Sequence, residues 1–222
     1  GPQALVPLPL SRPLNPEVVQ QQLEDLVAEH PRIYGIFWAT DESDPERFIE
    51  TWLNQHTYKA ADRWYGNLRL VIYAVPATLS TQPEVPTDFT FSDTIQLEGY
   101  TLSTPHVQPG DIVQLALYWR ALANIPERYK VFIHLVDESG KIVAQRDSEP
   151  GGGASLTSNW QPDTRLIDRY GILLPEDTEA TTLTVRVGMY ELNSGKRLPI
   201  SSHGAGLGDY LDLIQLPVSS RQ

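Results

Sequence analysis

Between Asp111 and Asp147 the chain reads DIVQLALYWRALANIPERYKVFIHLVDESGKIVAQRD, with apolar residues at every second position over Ile112–Arg120 and Lys130–Asp137. A third, shorter run follows the turn Glu138-Ser139-Gly140. Period-two alternation of β-branched and aromatic residues, punctuated by Gly and Pro, is what half-buried antiparallel strands require. Similar runs lie near 94–103, 165–174, 181–191 and 210–217. Seven or eight short strands at this spacing predict an antiparallel β-sandwich over 93–218, jelly-roll-like or immunoglobulin-like.

The N-terminal third has a different rhythm. Residues 1–14 hold four prolines and predict an extended lead-in. Asn15-Pro16-Glu17 is a helix start, with a capping Asn, a Pro at the first helical position and an acid at the positive dipole end. Val19, Leu23, Leu26 and Val27 follow at helical spacing. RIYGIFWA (32–39) and LRLVIYAV (68–75) are apolar runs of strand length, as expected for strands covered on both faces. Asp44-Pro45-Glu46 opens a second helix with Phe48, Ile49, Trp52 and Leu53 on one side. Residues 15–78 thus predict a small α/β unit, and the Pro- and Thr-rich segment 79–92 a linker. The fold class is a two-part α+β chain.

With 28 acidic and 17 basic side chains the net charge is −11. Both halves are acidic, with 10 acids against 6 bases before residue 80 and 18 against 11 after it. This argues against nucleic acid, and against an anionic membrane surface, since both call for a clustered basic patch. Cysteine is absent, which excludes disulfides and thiolate metal sites. No apolar run approaches the roughly 18 residues of a membrane helix. The start, Gly-Pro-Gln-Ala-Leu-Val-Pro, has no Met and no secretion-signal pattern, so any membrane part of the natural protein is expected outside this stretch.

Candidate binding residues lie on the strand faces turned away from the core. Tyr118 and Arg120 alternate with Leu117 and Trp119, and Arg186 and Tyr190 alternate with Val185, Val187 and Met189. Together with His134 they offer the flat rings and charged groups that a sugar site uses, while a solvated outer sheet face is the plainer alternative. In EPGGGASLTSNWQPDT (149–164), three glycines free the backbone, and Trp160 either stacks a sugar or caps the core. The loop lacks the Lys-Ser/Thr ending of a phosphate cradle. The five histidines have no zinc spacing. Asp137, Glu138, Asp147 and Asp163 could supply oxygens to calcium, but their spacing matches no ligand loop, so no cofactor is expected. No nucleophile motif occurs, and a two-carboxylate glycosidase site has no support beyond the number of acids.

Several phrases together resemble a known family. They are VQPGDIVQLALYWRAL (107–122), YKVFIHLVDESGKIVAQRDSEP (129–150), TSNWQPD (157–163), DRYGILLP (168–175) and VGMYELNSGKRLPI (187–200), with DPERFIETWLNQ and LRLVIYAVP before them. The pattern is similar to the C-terminal extracytoplasmic region of bacterial multi-spanning glycosyltransferases like the dolichyl-phosphate-mannose protein mannosyltransferases. The resemblance implies a non-catalytic accessory region tethered by membrane helices, with a carbohydrate or glycoprotein acceptor and the membrane domain of the same polypeptide as partners. Two other readings are a structural interaction module that takes no sugar and a secreted carbohydrate-binding protein.

Overall fold

The computed structural model describes residues 5–219, and the chain divides after Leu79 into two compact units. In the first unit, helix α1 (Pro16–Glu29) begins as its sequence dictates: Asn15 Oδ1 accepts from the backbone N–H groups of Glu17 and Val18 at 3.1 and 3.3 Å. A short helix α2 (Thr40–Ser43) precedes α3 (Phe48–His56). Asp44, expected just ahead of the second helix, caps α3 by accepting from the N–H groups of Phe48 and Ile49 at 2.8 and 2.9 Å.

Three strands complete this unit: β1 (Arg32–Phe37), β2 (Tyr58–Tyr65) and β3 (Leu68–Ala74), all antiparallel in the order β1-β3-β2. The expected helix–strand–helix–strand α/β unit is therefore corrected to an antiparallel sheet with one more strand. β2 escapes the sequence because the apolar residues of YKAADRWY fall in adjacent pairs, Ala60-Ala61 and Trp64-Tyr65, and do not alternate. Val19, Leu23, Ile49, Trp52, Leu53, Val71 and Tyr73 form the core of the unit, with Ile33 and Phe37 against them. Neighbouring β1 residues on the other face stay out of it: Ile36 is 64% exposed. β1 is covered on one face, not on both.

A charged cluster sits beside this core. Glu50 and Lys59, whose side chains are 6% and 4% exposed, meet at 2.9 Å. Arg69 donates to both oxygens of Glu50 at 2.8 Å and to Asp62, and Lys59 reaches Asp62 at 2.9 Å. Burial alone would raise Glu50, but Arg69 and Lys59 outweigh it and hold the carboxyl down at about 2.

The second unit has two antiparallel sheets. β9 (Arg165–Leu173), β6 (Ile112–Ala121), β5 (Ile95–Leu102), β4 (Val85–Phe91), β11 (Ile200–Ser202) and β12 (Ala205–Gly208) run side by side in that order. Facing them are β13 (Leu211–Pro217), β10 (Thr182–Glu191), β7 (Tyr129–Val136) and β8 (Ile142–Ser148), again in spatial order. The expected linker 79–92 contains β4, because Phe89 and Phe91 pair with Leu97 and Ile95 of β5. Trp119 is fully buried, with Phe91 edge-on at 5.4 Å, and Val131, Ile133, Val185 and Val187 meet them from the other sheet.

An inward position of β9 is polar. Asp168 of β9 is fully buried, accepting from Tyr170 Oη at 2.5 Å and from Gly151 N at 2.9 Å. It thereby pins the glycine loop, whose Gly151, Gly152 and Gly153 have φ of 66, 65 and 93°, a run that only glycine adopts without strain. Burial pushes Asp168 up to about 6, against the downward pull of its Tyr170 and Gly151 hydrogen bonds.

Two measurements check these energetics. Glu50→Gln leaves Lys59 short of one partner and should cost about 3–5 kcal/mol in urea unfolding of the full chain followed by tryptophan emission. Because the folded value of Glu50 lies below its ordinary one, its contribution is complete above about pH 4.5 and is lost as pH falls towards 2. Asp168 has the opposite sign. Its folded value lies above the unfolded one, so stability falls as pH rises through about 4 to 6, by roughly 2–3 kcal/mol. The stability deficit of Asp168→Asn relative to wild type should shrink by that amount between pH 4 and pH 8. A pH-independent deficit would mean that Asp168 titrates normally.

Candidate functional site

The outer face of the four-stranded sheet gathers the richest mixture of rings and charges in the second unit. Register produces it. Arg186 of β10 lies opposite His134 of β7, Gly188 opposite Phe132, and Tyr190 opposite Lys130. Across the far edge of β7, His134 pairs with Gln145 and Phe132 with Asp147 of β8. Arg186 pairs with Asp212 of β13. All alternate with the core residues Val131, Ile133, Val185, Val187 and Met189 and so point outward.

Phe132 faces outward yet is only 1% exposed. Gly188 makes room for it: a Cβ there would lie 2.2 Å from Phe132 Cζ and 2.9 Å from the Asp209 carbonyl oxygen. Above the ring, the Arg197 guanidinium stands 4.6 Å from the centroid, and His134 lies 4.8 Å to one side. Arg197 arrives by a hairpin: Glu191 N donates to Lys196 O, and Leu198 N to Met189 O, which seats Arg197 beside Tyr190. Its charge faces Asp209 at 3.5 Å. Arg186 repeats the arrangement, gripping Asp212 through two hydrogen bonds of 2.7 and 3.0 Å while its guanidinium lies 4.0 Å from the Tyr210 ring centroid. Such cation–π contacts contribute about 0.5–1 kcal/mol each when exposed.

Titration of this face follows from its burial. His134 is pushed below its ordinary value by burial, with Asp147 pulling up and Arg197 and Arg186 pushing down, and is neutral at pH 7. Tyr190 is raised by burial and by its hydrogen bond to Asp147. Beside these residues an open depression of about 550 Å³ is lined by Lys196, Arg197, Leu207, Asp209 and Tyr210. Tyr210 is 39% exposed, so one side of it is available to a ligand.

The residues singled out in the sequence are split. His134, Arg186 and Tyr190 share this face. Tyr118 and Arg120 lie on β6, in the other sheet, and cannot join them. Tyr118 is buried, with its hydroxyl 3.3 Å from Thr101 Oγ1. Nearby, Ser80–Glu84 crosses that sheet, held by Arg169 to Ser80 O and by Glu84 N to Thr101 Oγ1. Arg120 is engaged with Asp163 through hydrogen bonds of 3.0 and 2.5 Å. Trp160 is 3% exposed and donates from Nε1 to Ser155 Oγ, so it caps the core and has no free face. Alternation identifies outward positions but not which sheet carries them. Phe132, Arg197 and Tyr210 escaped the sequence reading on other grounds: the first resembles a core residue, and the others lie in or after turns.

The acids considered for calcium are dispersed. Asp137 accepts from Ser139 and Lys141 within its own turn, Glu138 from Thr181 and Thr182, and Asp163 from Arg120. Among the described residues no group of three or more His, Asp or Glu side chains is arranged to hold a metal ion.

Gly188→Ala tests the construction of the face. It should displace Phe132, release Arg197 from its ring and lower stability by about 1–3 kcal/mol, with NMR shifts concentrated at Arg197 and Tyr190. An unperturbed spectrum would mean that the ring is not held between Gly188 and Arg197.

No family model matches the sequence, and neither does any curated protein. Among solved structures, the crystal structure of the C-terminal domain of Wzt is similar to part of the chain, with a TM-score of 0.45 and 13% identity over 64% of this chain and 84% of that one. That likeness is too distant to bear on function.

Proposed function

We propose that the second unit is a non-catalytic binding module that takes carbohydrate on the outer face of its four-stranded sheet, over Tyr210, Arg197 and Asp209. One observation carries the reading. Rings, guanidinium groups and carboxylates alternate across a single sheet face and border an open depression of about 550 Å³. A sugar presents apolar C–H faces for a ring and hydroxyls that both donate and accept. Tyr210 supplies the ring, Arg197 and Lys196 the donors, and Asp209 the acceptor. The finer reading is an extracytoplasmic accessory region of a membrane glycosyltransferase, engaging the acceptor glycan. It rests on the resemblance of the sequence phrases.

A shallow open site of this kind binds weakly. One stacked ring contributes about 0.5–1.5 kcal/mol beyond its area, and a Kd of about 1 mM corresponds to about −4 kcal/mol. Titration of short oligosaccharides into the full chain, followed by NMR, should shift the resonances of Lys196, Leu207 and Asp209 at millimolar concentration. Tyr210→Ala with Arg197→Ala should abolish the shifts and leave the core spectrum intact. If no oligosaccharide shifts these resonances, the sugar reading fails. A structural interaction module is then favoured, in keeping with the guanidinium that each of Phe132 and Tyr210 already carries on one side.

A further inference from the structure

The open face of the first unit's sheet is unlike the rest of the surface. Tyr34 and Ile36 of β1 stand opposite Ile72 and Leu70 of β3, which stand in turn opposite Ala61 and Arg63 of β2. At one end of the sheet, the β2–β3 turn sets Tyr65 against Leu68, and Trp38 follows directly on β1. Tyr34 is 45% exposed, Ile36 64%, Trp38 61% and Tyr65 56%. Their exposed apolar area is on the order of 500 Å², a size at which a surface patch often carries a function.

Charge on this face has one sign. Among the described strand residues, Arg32 and Arg63 both belong to it and no carboxylate does: Asp62 points to the opposite side, where Arg69 and Lys59 hold it. Neither arginine pairs with a carboxylate among the described residues, whereas eight others do. In a chain of net charge −11, two free guanidinium groups flanking an apolar, aromatic sheet face are complementary to an anion outside the chain.

We propose that this face docks on a phospholipid bilayer, with Trp38 and Tyr65 at headgroup depth, Ile36 and Leu68 against the acyl boundary, and Arg32 and Arg63 on lipid phosphates. Trp and Tyr favour the interface because their rings are apolar at one end and polar at the other. Each arginine near an anionic leaflet adds attraction that falls off within about 8–10 Å, so the acids on the far side of the unit count for little. No helix among the described residues is long and apolar enough to cross a membrane.

The test uses the 222-residue chain and sucrose-loaded vesicles, either pure phosphatidylcholine or phosphatidylcholine with about one third phosphatidylglycerol. The chain should pellet with the mixed vesicles and its tryptophan emission should shift to the blue. Arg32→Gln with Arg63→Gln should weaken binding to the mixed vesicles about tenfold or more. Ile36→Asp with Leu68→Asp should abolish it, with an unchanged circular dichroism spectrum. Failure to pellet with either vesicle overturns the proposal. So does a concentration-dependent dimer that Ile36→Asp dissociates, which would assign the face to a second copy of the chain. Sugar binding by the second unit is read separately and stands or falls independently.

Discussion

The closure of two sheets around Trp119 organises everything else in the second unit. A strand has two faces, and once Val131, Ile133, Val185 and Val187 are committed to the partner sheet, their neighbours have nowhere to go but out. Pairing of β7 with β10 then aligns those outward residues in rows, so that Phe132, His134, Arg186 and Tyr190 become a surface without any contact of their own choosing. Gly188 is the local condition for that surface, since any side chain there would evict Phe132.

Buried charge is treated differently in the two units. Glu50 keeps its charge because Arg69 and Lys59 both hold it, and the cluster is satisfied from several elements at once. At Asp168 burial outweighs the hydrogen bonds from the Tyr170 hydroxyl and the Gly151 amide and the pull of Arg146, and raises the carboxyl instead. Both arrangements serve connectivity: the first ties α3 to β2 and β3, and the second fixes the glycine loop to β9.

Net charge is a poor guide to a surface of this kind. The excess of acids suggested a chain that avoids anionic partners. The antiparallel sheet of the first unit separates Asp62 from Arg63 by turning successive side chains to opposite sides, and the acid is then consumed by Arg69 and Lys59. What remains on the open face is positive and apolar. A sum over the chain cannot register a separation made by pleating.

Local sequence patterns set the strands that alternate cleanly, from Ile95 to Leu216, the capped start of α1 at Asn15, and the core role of Trp119. Each follows from local rules: period two, a capping side chain, an apolar ring among apolar neighbours. Weakly patterned strands stayed hidden, β2 and β4 above all, because they are held by their partners and not by their own composition. Which outward residues share a face depends on strand order. Tyr118 and Tyr190 have the same parity and similar neighbours, yet one lies on each sheet, because strand order is set by non-local pairing that no short window of sequence encodes.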